Sequence, residues 1–364
     1  MATENTPNQM GGSNRHDYGS ARVSATEHHI AGILATVYGL DELSASATDV
    51  ACLWLLHPRL QKHTIMAPVA ANVILEWNKK RDEEEAGGKK QRKGLIAVSF
   101  DQRNHGTREV NERANQSWKG GNPAHAPDMF SIFHGTARDT SILIDYLSSY
   151  IFPTGERTLT QHLALGVSLG GHSVWHCLLQ DPRITTGVVV IGCPDFTRLM
   201  SQRARKTKLD SWTSAKGGKN FLGSKDFPKG LIEAVGKYDP AGLLLGELDA
   251  AKIDYTQELS DKDKERVGAI LKKTLGGKKI MCLSGGADKL VPYSQSEPFL
   301  TFLKNAIKEG GWAKNCDITL EDIVDEQAGH EFSPKMQTEA VRFITEVLAT
   351  PSTEFKTGSI TSKI

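Results

Sequence analysis

The stretch Leu163-Ala-Leu-Gly166-Val-Ser168-Leu-Gly170-Gly171-His172 decides the reading of the fold. Its first half, residues 163–167, is a short continuous apolar run, the pattern of a strand buried on both faces. Residues 171–179 then carry the spacing of a helix. Between the two stands G-x-S-x-G, followed by a further glycine. A serine on a tight strand-to-helix turn projects its hydroxyl from the turn, and small residues at 166 and 170 let that turn close. The helix start behind it presents free N–H groups to a developing oxyanion. Five positions of common residue types make a weak signal alone; the flanking strand and helix give it weight.

The same alternation continues in both directions. Residues 30–38, 50–56, 94–100, 187–191, 279–283 and 318–324 read as strands. Residues 69–80, 129–151, 257–275, 299–307 and 335–348 read as helices. The charged run 82–93 reads as a solvated surface loop. Strands alternating with helices predict an α/β protein with a mostly parallel central sheet and helices on both faces. Residues 197–278 interrupt the alternation. They are basic at first, then Gly- and Lys-rich, then helical, and they read as a lid or cap insertion. The expected organisation is a polar N-terminal tail over 1–22, one domain over 23–350 and a C-terminal tail over 351–364.

A serine at its ordinary pKa is a poor nucleophile, so a base and an orienting acid must accompany it. Asp288 lies in the Gly-rich turn Ser284-Gly-Gly-Ala-Asp288 after a buried strand. His330 lies in Glu326-Gln-Ala-Gly-His330 between the last strand and the last helix. Each has an ordinary reading, a turn-forming aspartate and a surface histidine. Their contexts agree when taken together: nucleophile, acid and base in the chain order Ser168, Asp288, His330, each at the end of a strand.

These residues resemble the α/β-hydrolase superfamily over roughly residues 25–350, most of the chain. The turn Asp101-Gln-Arg103-Asn104-His105-Gly106 looks like the structural turn after that family's fourth strand, with Asn104 where a glycine is common. The stretch from Gly166 through Asp195 is similar to uncharacterised fungal α/β-hydrolases, and G-x-S-x-G-G with D-x-x-V-P also occurs in prolyl-oligopeptidase-like and acetyl-esterase-like members. The resemblance implies a Ser168–His330–Asp288 triad. It implies an oxyanion hole from the N–H groups of Leu169 and Arg59, because Pro58 has no N–H to give; Leu60 is the alternative donor. His57, Phe196, Trp212, Phe221 and Phe227 are the expected substrate-facing residues, with packing of the insertion onto the core as the alternative for the four aromatic ones. No cofactor or metal is called for. The implied activity is that of a serine hydrolase acting on a small-molecule acyl ester or thioester, with a peptidase or amidase as the competing enzyme. A non-catalytic ligand-binding protein on the same fold is the reading from another class. Fold does not fix substrate.

Composition narrows the rest. Lys+Arg 44 against Asp+Glu 43 gives a net charge of +1, which argues against nucleic acid as a partner. The basic cluster around Arg198, Arg203, Arg205, Lys206 and Lys208 therefore reads as a solvated lid helix. His172 and His176 have a zinc-compatible spacing but no third ligand in sight, so they read as packed histidines. Five scattered cysteines without a CxxC pair predict free thiols in a reducing compartment. No apolar run approaches the roughly 18 residues of a membrane span, and residues 1–22 lack the apolar stretch of a secretory signal. An intracellular setting is expected. The ending Ser362-Lys363-Ile364 varies the peroxisomal address Ser-Lys-Leu and predicts an import receptor as partner, with the cytoplasm as the alternative location.

Overall fold

The computed structural model describes residues 18–88, 93–246, 255 and 258–350. Its strands are β1 (Ala25–Ile30), β2 (Ile33–Tyr38), β3 (Asp49–Leu56), β4 (Gly94–Phe100), β5 (Thr158–Val167), β6 (Ile184–Val190), β7 (Lys279–Gly285) and β8 (Thr319–Asp325). They form one sheet in the order β1-β2-β4-β3-β5-β6-β7-β8. Strand β2 runs antiparallel to both neighbours, and every other pairing is parallel. The helices between strands are α1 (Ala67–Ala86), α2 (His125–Ile151) and α3 (Leu169–Gln180). Five more lie between β6 and β7: α4 (Phe196–Thr207), α5 (Asp210–Thr213), α6 (Lys229–Tyr238), α7 (Pro240–Leu245) and α8 (Asp261–Thr274). The chain closes with α9 (Tyr293–Ile307) and α10 (Pro334–Ala349).

Two cores lie on opposite faces of the sheet, and β3 shows why its sequence is apolar throughout. Val50, Cys52, Trp54 and Leu56 point to the face covered by α2, α3, α8 and α9. Ala51, Leu53 and Leu55 point to the face covered by α1 and α10. Successive side chains alternate, so a strand covered on both sides needs an apolar residue at every position. Burying each large one contributes about 1.5–3 kcal/mol.

The structure corrects several boundaries. Residues 30–38 do not form one strand. Ala31 and Gly32 both take positive φ, 49° and 77°, and fold the segment into the β1–β2 hairpin. The charged run at 82–93 is not all loop: Glu83, Glu84 and Glu85 are good helix formers, and they extend α1 to Ala86. Within the expected tail over 1–22, Tyr18 is buried and sets its ring edge-on against Phe332 at 5.7 Å. Within the expected insertion, α4 and α6 form a third core with the start of α2. Helices α7 and α8 instead return to the main core through Leu244, Leu245, Val267 and Leu271. Gln257 and the calls on 351–364, Ser362-Lys363-Ile364 included, lie outside the described residues. Among the described residues no helix is long and apolar enough to cross a membrane.

Candidate active site

Strand β5 is held on both sides at its C-terminal end, by Leu56 opposite Gly166 and by Val190 opposite Val167. The chain then turns at once into α3. Ser168 sits on that turn with φ 55° and ψ −108°, a conformation that strains any residue bearing a Cβ. Its N–H donates to the Val190 carbonyl at 2.9 Å, and its carbonyl accepts from His172 N–H at 3.0 Å. The glycines make the turn sterically possible. A Cβ at Gly166 would meet the Gly170 carbonyl, and one at Gly170 would meet the Leu56 carbonyl.

The loops after β7 and β8 are tied to each other. Gly286 N–H donates to the Asp325 carbonyl at 2.9 Å, and Ala287 N–H donates to Ala328 at 3.0 Å. At Gly285 a Cβ would run into the carbonyls of Ala328 and Gly329. This close contact brings Asp288 and His330 together. His330 Nδ1 lies 2.8 Å from Asp288 Oδ2, and His330 Nε2 lies 2.9 Å from Ser168 Oγ. An Asp288 carboxylate can only accept, so it fixes the proton on Nδ1 and leaves Nε2 free to take one from Ser168. Asp288 Oδ1 accepts from the N–H groups of Leu290 and Val291 at 2.7 and 3.0 Å. Burial pushes the Asp288 carboxyl up, but the His330 hydrogen bond and charge and these two N–H donors outweigh it and hold it below its ordinary value.

No protein-family model matches the chain, and no curated protein matches it by sequence. Solved structures do match. The crystal structure of TT1662 from Thermus thermophilus has a TM-score of 0.50 at 16% identity, covering 91% of this chain and 100% of that one. The uncomplexed acylaminoacyl peptidase of Pyrococcus horikoshii has a TM-score of 0.51 at 10% identity, covering 96% of this chain. The chain spans 45% of the length of that peptidase. At these identities the likeness is one of fold. The chain has the α/β-hydrolase fold.

In this α/β-hydrolase fold the remaining expected residues take several roles. Leu169 is the first residue of α3, so its N–H has no acceptor within the helix. The N–H groups of Arg59 and Leu60 have no protein acceptor among the described residues. Leu60 itself is left-handed, with φ 64°. His57 is not a pocket residue. It is fully buried, donates from Nδ1 to the Pro58 carbonyl at 2.8 Å and accepts the Gln102 N–H on Nε2 at 2.9 Å. It thus pins the end of β3 to the end of β4, and burial keeps it neutral by pushing its pKa down.

The Asp101–Gly106 turn is structural. Asp101 accepts from His63 N–H at 2.8 Å and from Thr107 N–H at 2.7 Å. Arg103 forms a fork on Asp139 at 2.9 and 3.0 Å. Asn104 takes φ 59°, the left-handed conformation that glycine or asparagine tolerates best. His105 packs its ring 5.4 Å from that of His57.

Phe196, Phe221 and Phe227 are buried against one another, with Phe196–Phe227 at 6.1 Å and Phe221–Phe227 at 5.4 Å between ring centres. Trp212 lies partly buried at 5.9 Å from Phe221. Their cluster includes Leu169 and Val291, so the insertion covers the residues that follow Ser168 and Asp288. A cleft of about 320 Å³ opens beside this cluster, lined by Phe130, His134, Leu231 and Tyr238 among others.

His172 and His176 are packed histidines. His172 Nδ1 accepts from Cys193 N–H at 3.0 Å and stacks on Phe133 at 4.7 Å, and burial drives its pKa down to about 3. Among the described residues no group of three or more His, Cys, Asp or Glu could hold a metal ion.

The sequence reading missed Arg203 and His125 as neighbours of the site. Arg203 Nη1 donates to His125 Nε2 at 3.3 Å across 78 residues of chain, and no local pattern encodes such a pairing.

Proposed function

We propose that the chain is a serine hydrolase that cleaves a carboxylic ester or thioester through an acyl-enzyme. The observation that carries this is the continuous relay Ser168 Oγ–His330 Nε2–Nδ1–Asp288 Oδ2, with spans of 2.9 and 2.8 Å. In this reading His330 removes the Ser168 proton as Oγ attacks the carbonyl carbon. Asp288 holds the imidazole in the required tautomer and stabilises it once charged. The N–H of Leu169, with that of Arg59 or Leu60, takes the oxyanion. His330 then protonates the departing alkoxide or thiolate. It next removes a proton from water, which attacks the acyl carbon and frees Ser168.

The buried thiols play no part as nucleophiles in this scheme, because burial raises all five cysteine pKa values. The likeness to an acylaminoacyl peptidase makes an amide the competing substrate, with an amine as leaving group. A chain-length series of p-nitrophenyl esters, acyl thioesters and acyl p-nitroanilides separates the two. Ester or thioester turnover lost in Ser168→Ala supports the reading. Turnover of anilides alone would move it to an amidase. Ester turnover that survives Ser168→Ala would end it.

A further inference from the structure

Several arginines of this chain are answered by a carboxylate. Arg103 and Arg108 share Asp139, Arg183 holds Asp181, and Arg342 holds Glu321. Half-buried Arg157, just before β5, has no such partner among the described residues, and the same holds for Arg59 and Arg203. Both are half-buried, and neither forms an ion pair among the described residues. Arg59 Nη1 donates to the Asn115 carbonyl at 2.6 Å. Arg203 donates from Nη1 to His125 Nε2 and from Nη2 to the Leu290 carbonyl, each at 3.3 Å. A guanidinium carries more N–H donors than these bonds use.

The two side chains come from different elements, Arg59 from the loop after β3 and Arg203 from α4. Arg59 follows β3, whose last carbonyl, that of Leu56, lies where a Cβ of Gly170 would go, directly behind Ser168. Arg203 comes from α4 and holds the carbonyl of Leu290, whose N–H in turn donates to Asp288 at 2.7 Å. They also feel each other: burial first and then the Arg59 charge lower Arg203 to about 10. His125 serves as a neutral acceptor for Arg203. Its Nδ1 donates to the Gln116 carbonyl at 2.9 Å, and burial with the two arginine charges drives its pKa down to about 2. The ring of Trp118 lies 5.0 Å from that of His125, and its buried Nε1 donor has no partner among the described residues. Partly desolvated like charges without a counter-ion are costly, and an anion placed between them removes that cost.

We propose that Arg59 and Arg203 form an anion subsite beside Ser168, and that the substrate carries an oxyanion group, a carboxylate or a phosphate, which they hold. The inference rests on the hydrolase reading and names its substrate class. Neither an unsubstituted alkyl ester nor a thioester with an apolar acyl chain would use these donors.

The test compares p-nitrophenyl glutarate hemiester with p-nitrophenyl valerate, which replaces the distal carboxylate by a methyl at equal chain length. Glutarate and inorganic phosphate serve as competitors of valerate turnover. Fluorophosphonate labelling of Ser168 is run in parallel. The expected result is a hemiester kcat/KM about 10- to 100-fold above valerate, falling with added salt. That ratio should collapse toward one in Arg203→Met and Arg59→Met and be partly kept in Arg203→Lys. Stronger competition by glutarate assigns a carboxylate, and stronger competition by phosphate assigns a phosphate. A wild-type ratio near one with no competition by either, while Ser168 still labels, overturns the subsite and leaves the hydrolase reading standing. A Ser168 that does not label refutes the hydrolase reading and the subsite with it.

Discussion

Replacing Ser168 by glycine and by alanine separates the chemistry of the residue from the strain of its backbone. Both variants lose the hydroxyl and its 2.9 Å bond to His330, so that loss cancels in the comparison. What differs is the response to φ 55° and ψ −108°. Alanine keeps a Cβ in this conformation and keeps a cost of about 1–3 kcal/mol. Glycine is free of it but gives up roughly 0.5–1 kcal/mol in the unfolded chain. Taken at mid-range, the glycine variant should therefore be the more stable by about 1 kcal/mol. For a chain of this length that is a Tm higher by about 1.5 °C, at roughly 1.5 °C per kcal/mol. Differential scanning calorimetry of the two variants at one pH reads the difference directly. A glycine variant that melts with the alanine variant or below it would show that the turn does not strain residue 168, and would refute the account of the turn.

Three further outcomes are expected. Asp288→Asn keeps an oxygen to accept from Leu290 and Val291 but turns an N–H toward His330, reverses the tautomer and should lower kcat/KM by about 10³- to 10⁴-fold in an ester assay with little change in Tm. Burial drives the Lys278 ammonium from its ordinary 10.5 to about 8, its Nζ donating to the carbonyls of Leu178 and Asp181. Between those two values the unfolded chain holds a proton that the folded chain has lost, so wild-type stability gains with rising pH from this group. Lys278→Met should lack that gain, a difference on the order of 3 kcal/mol between about pH 7 and pH 10, read from urea midpoints. All five thiols are buried and shifted upward, so DTNB should titrate none of them in the native protein and five after denaturation.

Much of this fold was legible because burial on both faces leaves an unmistakable mark. Gly94–Phe100 has no polar residue but Ser99, and the structure makes it a central strand with every position buried. The turn at Ser168 was legible for a steric reason, since only glycine fits beside the carbonyls of Leu56 and Gly170. The ends of elements were less legible. Ala31-Gly32 is a weak turn signal inside an apolar stretch, and the charges after Lys80 suit a helix end as well as a loop. Side-chain partnerships across the chain left no local trace. His57 stands where a pocket residue was expected, yet its ring is spent on Gln102, forty-five positions away. Arg203 looked like one charge in a basic run, and only its bond to His125 at the start of α2 sets it apart from Arg205 and Lys206.

The central claim is that Ser168 is the activated nucleophile. It is tested most directly by exposing the native protein to a fluorophosphonate and locating the adduct by mass spectrometry. The account predicts one phosphonyl group per chain, on the peptide carrying Ser168, absent from Ser168→Ala and strongly slowed in His330→Ala. An adduct on another residue, or none on the folded wild-type protein, would contradict it.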